Sequence, residues 1–207
     1  MVTKFLLFTI IAATLLAVGD AVCKHGILEY GVSPMQAQAI VEKHNEIRLR
    51  AACGILPGQP KAANLKALKY SASLARKAQE ATNNCLFNPP QITGTEFAYV
   101  GRNSFLQFST VISYGADWNA TLDDWLDKHK TYNFDAIGNS ANTGLYTQLV
   151  WANTEYVGCG YTLYMDSLSQ FPYNKLYICA YGPAGNIIGE TPYIIDNSGS
   201  GGCSPLL

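Results

Sequence analysis

The side chains able to do chemistry in this sequence are few and scattered. There are three histidines, His25, His44 and His129, and six cysteines, Cys23, Cys53, Cys85, Cys159, Cys179 and Cys203. The histidines are not clustered by sequence. No Cys-x-x-C pair occurs, which argues against a zinc ribbon or a thiol-redox centre. No order of Ser, His and Asp marks a nucleophilic triad, and an even cysteine count leaves no obvious free thiol. The six cysteines instead read as three disulfides in an oxidising compartment, with 15 pairings open to them. Charge adds little: 14 Lys and Arg against 15 Asp and Glu give a net charge of -1. Such a chain has no field with which to gather a phosphate backbone, so nucleic acid is an unsuitable partner.

The oxidising compartment has its own signal. Lys4 precedes an apolar run from Phe5 to Val18, followed by the small residues Gly19 and Ala21. That order is a secretory signal peptide over residues 1–21, too short for a comfortable membrane span, and no later stretch approaches that length. The expectation is a secreted, extracellular protein with no integral membrane segment once the signal is removed.

The elements that must position any site follow from caps and periodicity. Ser33-Pro34-Met35-Gln36 combines an N-cap serine, proline at the first helical position and glutamine closing a capping box. A stripe of Ala37, Ile40, Val41, His44, Ile47 and Ala51 follows, and Gly54 and Pro57 end the helix. A buried His44 on that stripe reads as a hydrogen-bonded structural residue. A second helix is predicted from Ser71, with Leu74, Ala75, Ala78 and Ala81 on one face. A third begins near Asp117 or Asn119 and carries Trp118, Leu122, Trp125, Leu126 and His129. Two stretches rich in aromatic and β-branched residues, Val157 to Tyr164 and Lys175 to Tyr181, predict an antiparallel pair. The composition of 197–202 is that of a flexible segment. Helices first and strands late imply a mixed single domain. Asn119-Ala120-Thr121 is a glycosylation sequon.

Four ordered segments carry a family resemblance. They are Ile40 to Arg48, with His44-Asn45 and Arg48; Gly58-Gln59-Pro60 through Asn84-Cys85; Gly144 to Trp151; and Leu176 to Ile187. Together they resemble the CAP superfamily of cysteine-rich secretory proteins, antigen-five venom allergens and plant pathogenesis-related proteins, and the arthropod antigen-five branch in particular. Ala180 departs from the polar residue usual there. The resemblance implies an α+β fold: an α-β-α sandwich with a three-stranded antiparallel sheet between helical layers and a cleft on one side. The domain would span residues 22–195, with a Gly/Ser-rich tail over 196–207 tethered by Cys203. The resemblance also implies disulfides Cys159–Cys179 and Cys23–Cys85, leaving Cys53 to join Cys203.

Many relatives hold a divalent metal in the cleft with two histidines and two acids. The matching positions here are Pro89, Arg102, Lys128 and Leu145. Proline and leucine supply no ligand and two cations repel one, so no metal, cofactor or catalytic residue is expected. If both cations face the cleft, Arg102 and Lys128 form a candidate anion site. The resemblance then implies a non-enzymatic protein of the venom or salivary allergen type. It would bind a lipid or small anionic ligand such as a fatty acid, eicosanoid or sterol. The alternative is an effector that engages a host receptor, channel, platelet protein or other extracellular protein, although no Arg-Gly-Asp occurs for an integrin.

Overall fold

The computed structural model describes residues 23, 26–135, 137, 144–199, 202–203 and 205–207. The signal-peptide expectation over 1–21 and His25 lie outside them. The first long helix, α1 (Pro34–Ala52), starts as its sequence dictates. Ser33 Oγ accepts from the Gln36 amide at 3.2 Å and Gln36 Oε1 accepts from the Ser33 amide at 2.9 Å, closing the capping box. Its buried stripe is Ala37, Ile40, His44, Ile47, Arg48, Ala51 and Ala52, with Val41 only half-buried.

The strands, in chain order, are β1 (Gly26–Tyr30), β2 (Lys69–Tyr70), β3 (Gly101–Ser109), β4 (Tyr156–Met165) and β5 (Tyr173–Gly182). The predicted antiparallel pair is β4 with β5, in register from Tyr156 opposite Gly182 to Met165 opposite Tyr173. The sheet runs β1-β4-β5-β3, with β2 lying parallel to β4. The three-stranded sheet implied by resemblance corresponds to β3-β5-β4, and β1 and β2 extend it to five strands on the β4 side. The added strands escape sequence reading because β1 is mostly exposed and β2 is two residues long.

Period-two alternation on β4 and β5 separates two cores. Leu176, Ile178 and Ala180 face α2 (Ala72–Thr82) through Leu74 and Ala78. Val157, Cys159, Tyr161, Tyr177, Cys179 and Tyr181 face the opposite layer, built from α1, α3 (Trp118–Asp127) and α4 (Gly144–Leu149). Both faces are covered, so β5 is buried almost without interruption, unlike a half-exposed antiparallel strand. Helix α2 lies directly on β4 because Gly158 and Gly160 have no side chain. A Cβ on Gly160 would sit 2.4 Å from the Gln79 amide nitrogen, and one on Gly158 2.2 Å from that of Ala75. Gln79 then completes the contact: its Oε1 accepts from the Tyr161 amide at 3.0 Å and its Nε2 donates to the Tyr161 carbonyl at 2.9 Å.

Three disulfides lock these layers. Cys159–Cys179 ties β4 to β5, Cys23–Cys85 ties the segment before β1 to the end of α2, and Cys53–Cys203 ties the end of α1 to residue 203. The last turn of chain is also held by its backbone. The Leu207 amide donates to the Leu65 carbonyl at 2.9 Å and its carbonyl accepts from the Ala67 amide at 3.0 Å.

Candidate functional site

The site is a cleft of about 820 Å³ that runs along β3, the edge strand at one end of the sheet. Its apolar wall comes from Phe87, Phe105, Leu106, Phe108 and Leu145; its polar groups include Arg102, Lys128, Asp124 and Asn186. Three of the four positions that the resemblance matches to metal ligands in relatives, Arg102, Lys128 and Leu145, therefore line one cleft. The fourth, Pro89, meets them through its main chain: Arg102 Nη1 donates to the Pro89 carbonyl at 2.6 Å. Three different elements bring them together. Arg102 stands at the second residue of β3, Lys128 at the end of α3 and Leu145 in the first turn of α4.

The two cations are not equivalent. Partial burial lowers the Arg102 guanidinium from its ordinary value, and it stays protonated. Among the described residues the Pro89 carbonyl is its one hydrogen-bond partner, so most of its five donors remain available. Lys128 Nζ, by contrast, lies 3.2 Å from Asp124 Oδ1 one turn back on the same helix. Asp124 also lines the cleft. Sequence reasoning missed it, although its i,i+4 spacing to Lys128 was a usable signal. It missed the apolar wall too, because β3 was not read as a strand.

The floor beneath Arg102 leads into a buried polar chain. Asn103 Nδ2 donates to the Leu145 carbonyl at 2.9 Å and reaches Tyr181 Oη at 3.5 Å. His44 Nδ1 lies 2.7 Å from the Ile40 carbonyl and Nε2 lies 3.0 Å from Tyr181 Oη. A carbonyl can only accept, so Nδ1 carries the proton and Nε2 accepts from the Tyr181 hydroxyl. Burial pushes the His44 pKa down to about 4, helped by the nearby Arg48 charge, and pushes the Tyr181 phenol well up. His44 is therefore a neutral, hydrogen-bonded structural residue. Arg48 is fully buried and donates to four carbonyls, those of Lys66, Leu149, Trp151 and Thr154. His129 is also buried, with Nδ1 2.8 Å from the Leu126 carbonyl.

The donor set at the positions matched by resemblance, Pro89, Arg102, Lys128 and Leu145, does not fit a divalent metal: two cations, an apolar side chain and a proline supply no ligand. Among the described residues no group of three or more His, Cys, Asp or Glu is arranged to hold a metal ion. Asn119 is exposed in the first turn of α3, outside the cleft, while the sequon's Thr121 is buried with its hydroxyl donating to the Asp117 carbonyl at 2.9 Å. No helix among the described residues is long and apolar enough to cross a membrane.

A helix–sheet–helix sandwich with three disulfides and a cleft along its edge strand defines a scaffold class rather than a chemistry. The family model described as the cysteine-rich secretory protein family, CAP, matches residues 41–181, and the chain belongs to that family. It is 36% identical over 168 residues to a salivary antigen-5 of Dipetalogaster maximus, covering 77% of this chain and 66% of that protein. It is 34% identical over 175 residues to venom allergen 5 of Dolichovespula arenaria, covering 81% and 84%. Among solved structures it resembles Schistosoma mansoni venom allergen-like protein 4, with 31% identity, a TM-score of 0.60 and coverage of 77% and 94%. It also resembles NaASP2, crystallised with Zn2+, with 26% identity, a TM-score of 0.64 and coverage of 80% and 88%.

Proposed function

We propose that the protein is a secreted, non-enzymatic binding protein that takes a small hydrophobic or anionic ligand, of the fatty acid, eicosanoid or sterol kind, in the cleft along β3. The observation that carries this reading is the cleft itself. A concave space of about 820 Å³ with a mostly apolar wall and a few convergent polar groups is the usual form of a small-molecule site. The positions that would hold a metal carry Arg102 and Lys128, so the polar end of the cleft favours negative charge. Three disulfides and the signal-like residues 1–21 support export, as do relatives named for saliva and venom. Native mass spectrometry of protein purified from its own source, and of recombinant protein offered fatty acids and sterols, tests it. A bound or acquired small molecule is expected. A bare mass throughout would overturn the reading.

A second reading, an effector that engages an extracellular or host protein, is favoured by one surface feature. Phe108, Val111 and Tyr114 are 56%, 70% and 65% exposed in succession along the end of β3 and the turn after it. Retention of a plasma or membrane protein by the wild-type chain, lost when all three become serine, would support it.

A further inference from the structure

The unequal state of the two cleft cations names the ligand more closely. Arg102 spends one donor on the Pro89 carbonyl and keeps the rest of its fork. Lys128 is already bound to Asp124. Counting the charges that line the cleft, Arg102 and Lys128 contribute two positive charges and Asp124 one negative, so the described lining carries a single net positive charge. We infer that the cleft is selective for a monocarboxylate with an apolar tail: the carboxylate docks on the guanidinium of Arg102, and the tail lies along Phe87, Phe105, Phe108 and Leu145. This rests on the small-ligand reading above and adds to it which head group is chosen and by which residue.

Three physical points support it. A planar guanidinium matches a carboxylate in two parallel hydrogen bonds, which an ammonium cannot do. Its anchoring by a main-chain carbonyl presets the fork and reduces the ordering a ligand must supply. Partial burial, seen in the lowered Arg102 pKa, means an incoming charge meets less water than at an open surface. A dianion would leave one charge uncompensated unless Lys128 abandoned Asp124. A neutral alcohol or sterol would leave the guanidinium facing a ligand that returns no charge.

The test is calorimetric titration of the intact protein with two probes of equal tail length, dodecanoate and dodecanol, in wild type and in three variants. Wild type is expected to prefer dodecanoate by about tenfold, the scale of one charge-assisted contact. Arg102→Gln removes the charge and the planar fork; it should abolish the preference by weakening dodecanoate about tenfold more than dodecanol. Lys128→Ala should reduce the preference by less than half as much on a logarithmic scale. Asp124→Asn, by releasing Lys128, should tighten dodecanoate alone by about two- to fivefold.

The failures separate. If neither probe binds, the small-ligand reading falls and this inference with it. If wild type binds both probes equally, that reading stands and the carboxylate selectivity is overturned. If Arg102→Gln weakens both probes alike, Arg102 only shapes the cleft, and its role as head-group receptor is overturned. If Asp124→Asn weakens dodecanoate, the assignment of Asp124 as the competitor for Lys128 is overturned. A thermal melt of each variant, matched to wild type, guards the comparison against loss of fold.

Discussion

Two polar groups of residues lie on either side of Asn103, and they are built on opposite principles. Inward, His44, Tyr181 and Arg48 are fully buried, and the imidazole nitrogens and the guanidinium all meet partners inside the protein. Outward, Arg102 has one partner, and Lys128 shares a half-exposed ion pair with Asp124. Burial accounts for the difference. A polar atom withdrawn from water must be satisfied by the protein or the fold loses stability, whereas a group at the mouth of a cleft can leave its remaining bonds to solvent or to a ligand. The inward group is architecture. The outward group has binding capacity left over.

Removing Arg48 should break that contrast most visibly. Burial lowers its pKa to about 9, still well above neutral pH, and it serves carbonyls from the α1–β2 connection, α4 and the segment before β4. Arg48→Met fills the space but leaves these buried acceptors without a donor, so a loss on the order of 3–5 kcal/mol is expected in urea unfolding.

His44 gives a pH signature to the same buried group. Its pKa is depressed from 6.5 to about 4 in the folded protein, chiefly by burial. The unfolded chain therefore binds a proton over that window and the native one does not. The contribution is complete above pH 6.5, drains as pH falls, and is lost once pH passes about 4. The whole effect is about 3 kcal/mol. Unfolding free energies measured across this range should slope upward with pH, and His44→Gln should flatten that part of the slope. An unchanged slope would show that His44 is not the group responsible.

The outward group should be nearly silent in stability. Lys128→Ala is expected to shift the unfolding free energy by no more than about 0.5 kcal/mol, because the Lys128–Asp124 pair is half-exposed and screened. A much larger loss by chemical denaturation would erase the distinction between the two groups.

Legibility in the sequence follows a related divide. The Ser33 capping box, the α2 and α3 starts and the β4–β5 pair were readable, because local caps and periodicity are written in neighbouring residues. Strand β3 was not. Its burial runs without alternation, since an edge strand beside a cleft has no single buried face. Burial of Arg48 has no local signal beyond its place in the His44-Asn45 to Arg48 motif, since composition alone places arginine at the surface. The meeting of Arg102 with Lys128 came from resemblance. Their inequality came only from the structure, since the carbonyl of Pro89 has no signature in residue type. Ala180 is fully buried in the same apolar cluster as Leu74 and Ala78, in the layer under α2.

The bond from Cys53 to Cys203 makes the end of α1 and the last described residues covalent neighbours across 150 positions of sequence. A protease that cuts between Asn197 and Gly199 would therefore release nothing. The nicked molecule would migrate as one species until a reductant freed the short peptide, and even then the backbone bonds of Leu207 to Leu65 and Ala67 would tend to keep it in place. For such a protein, migration on a non-reducing gel is a poor witness of an unbroken chain, whereas the water added at the cut would still show in the mass.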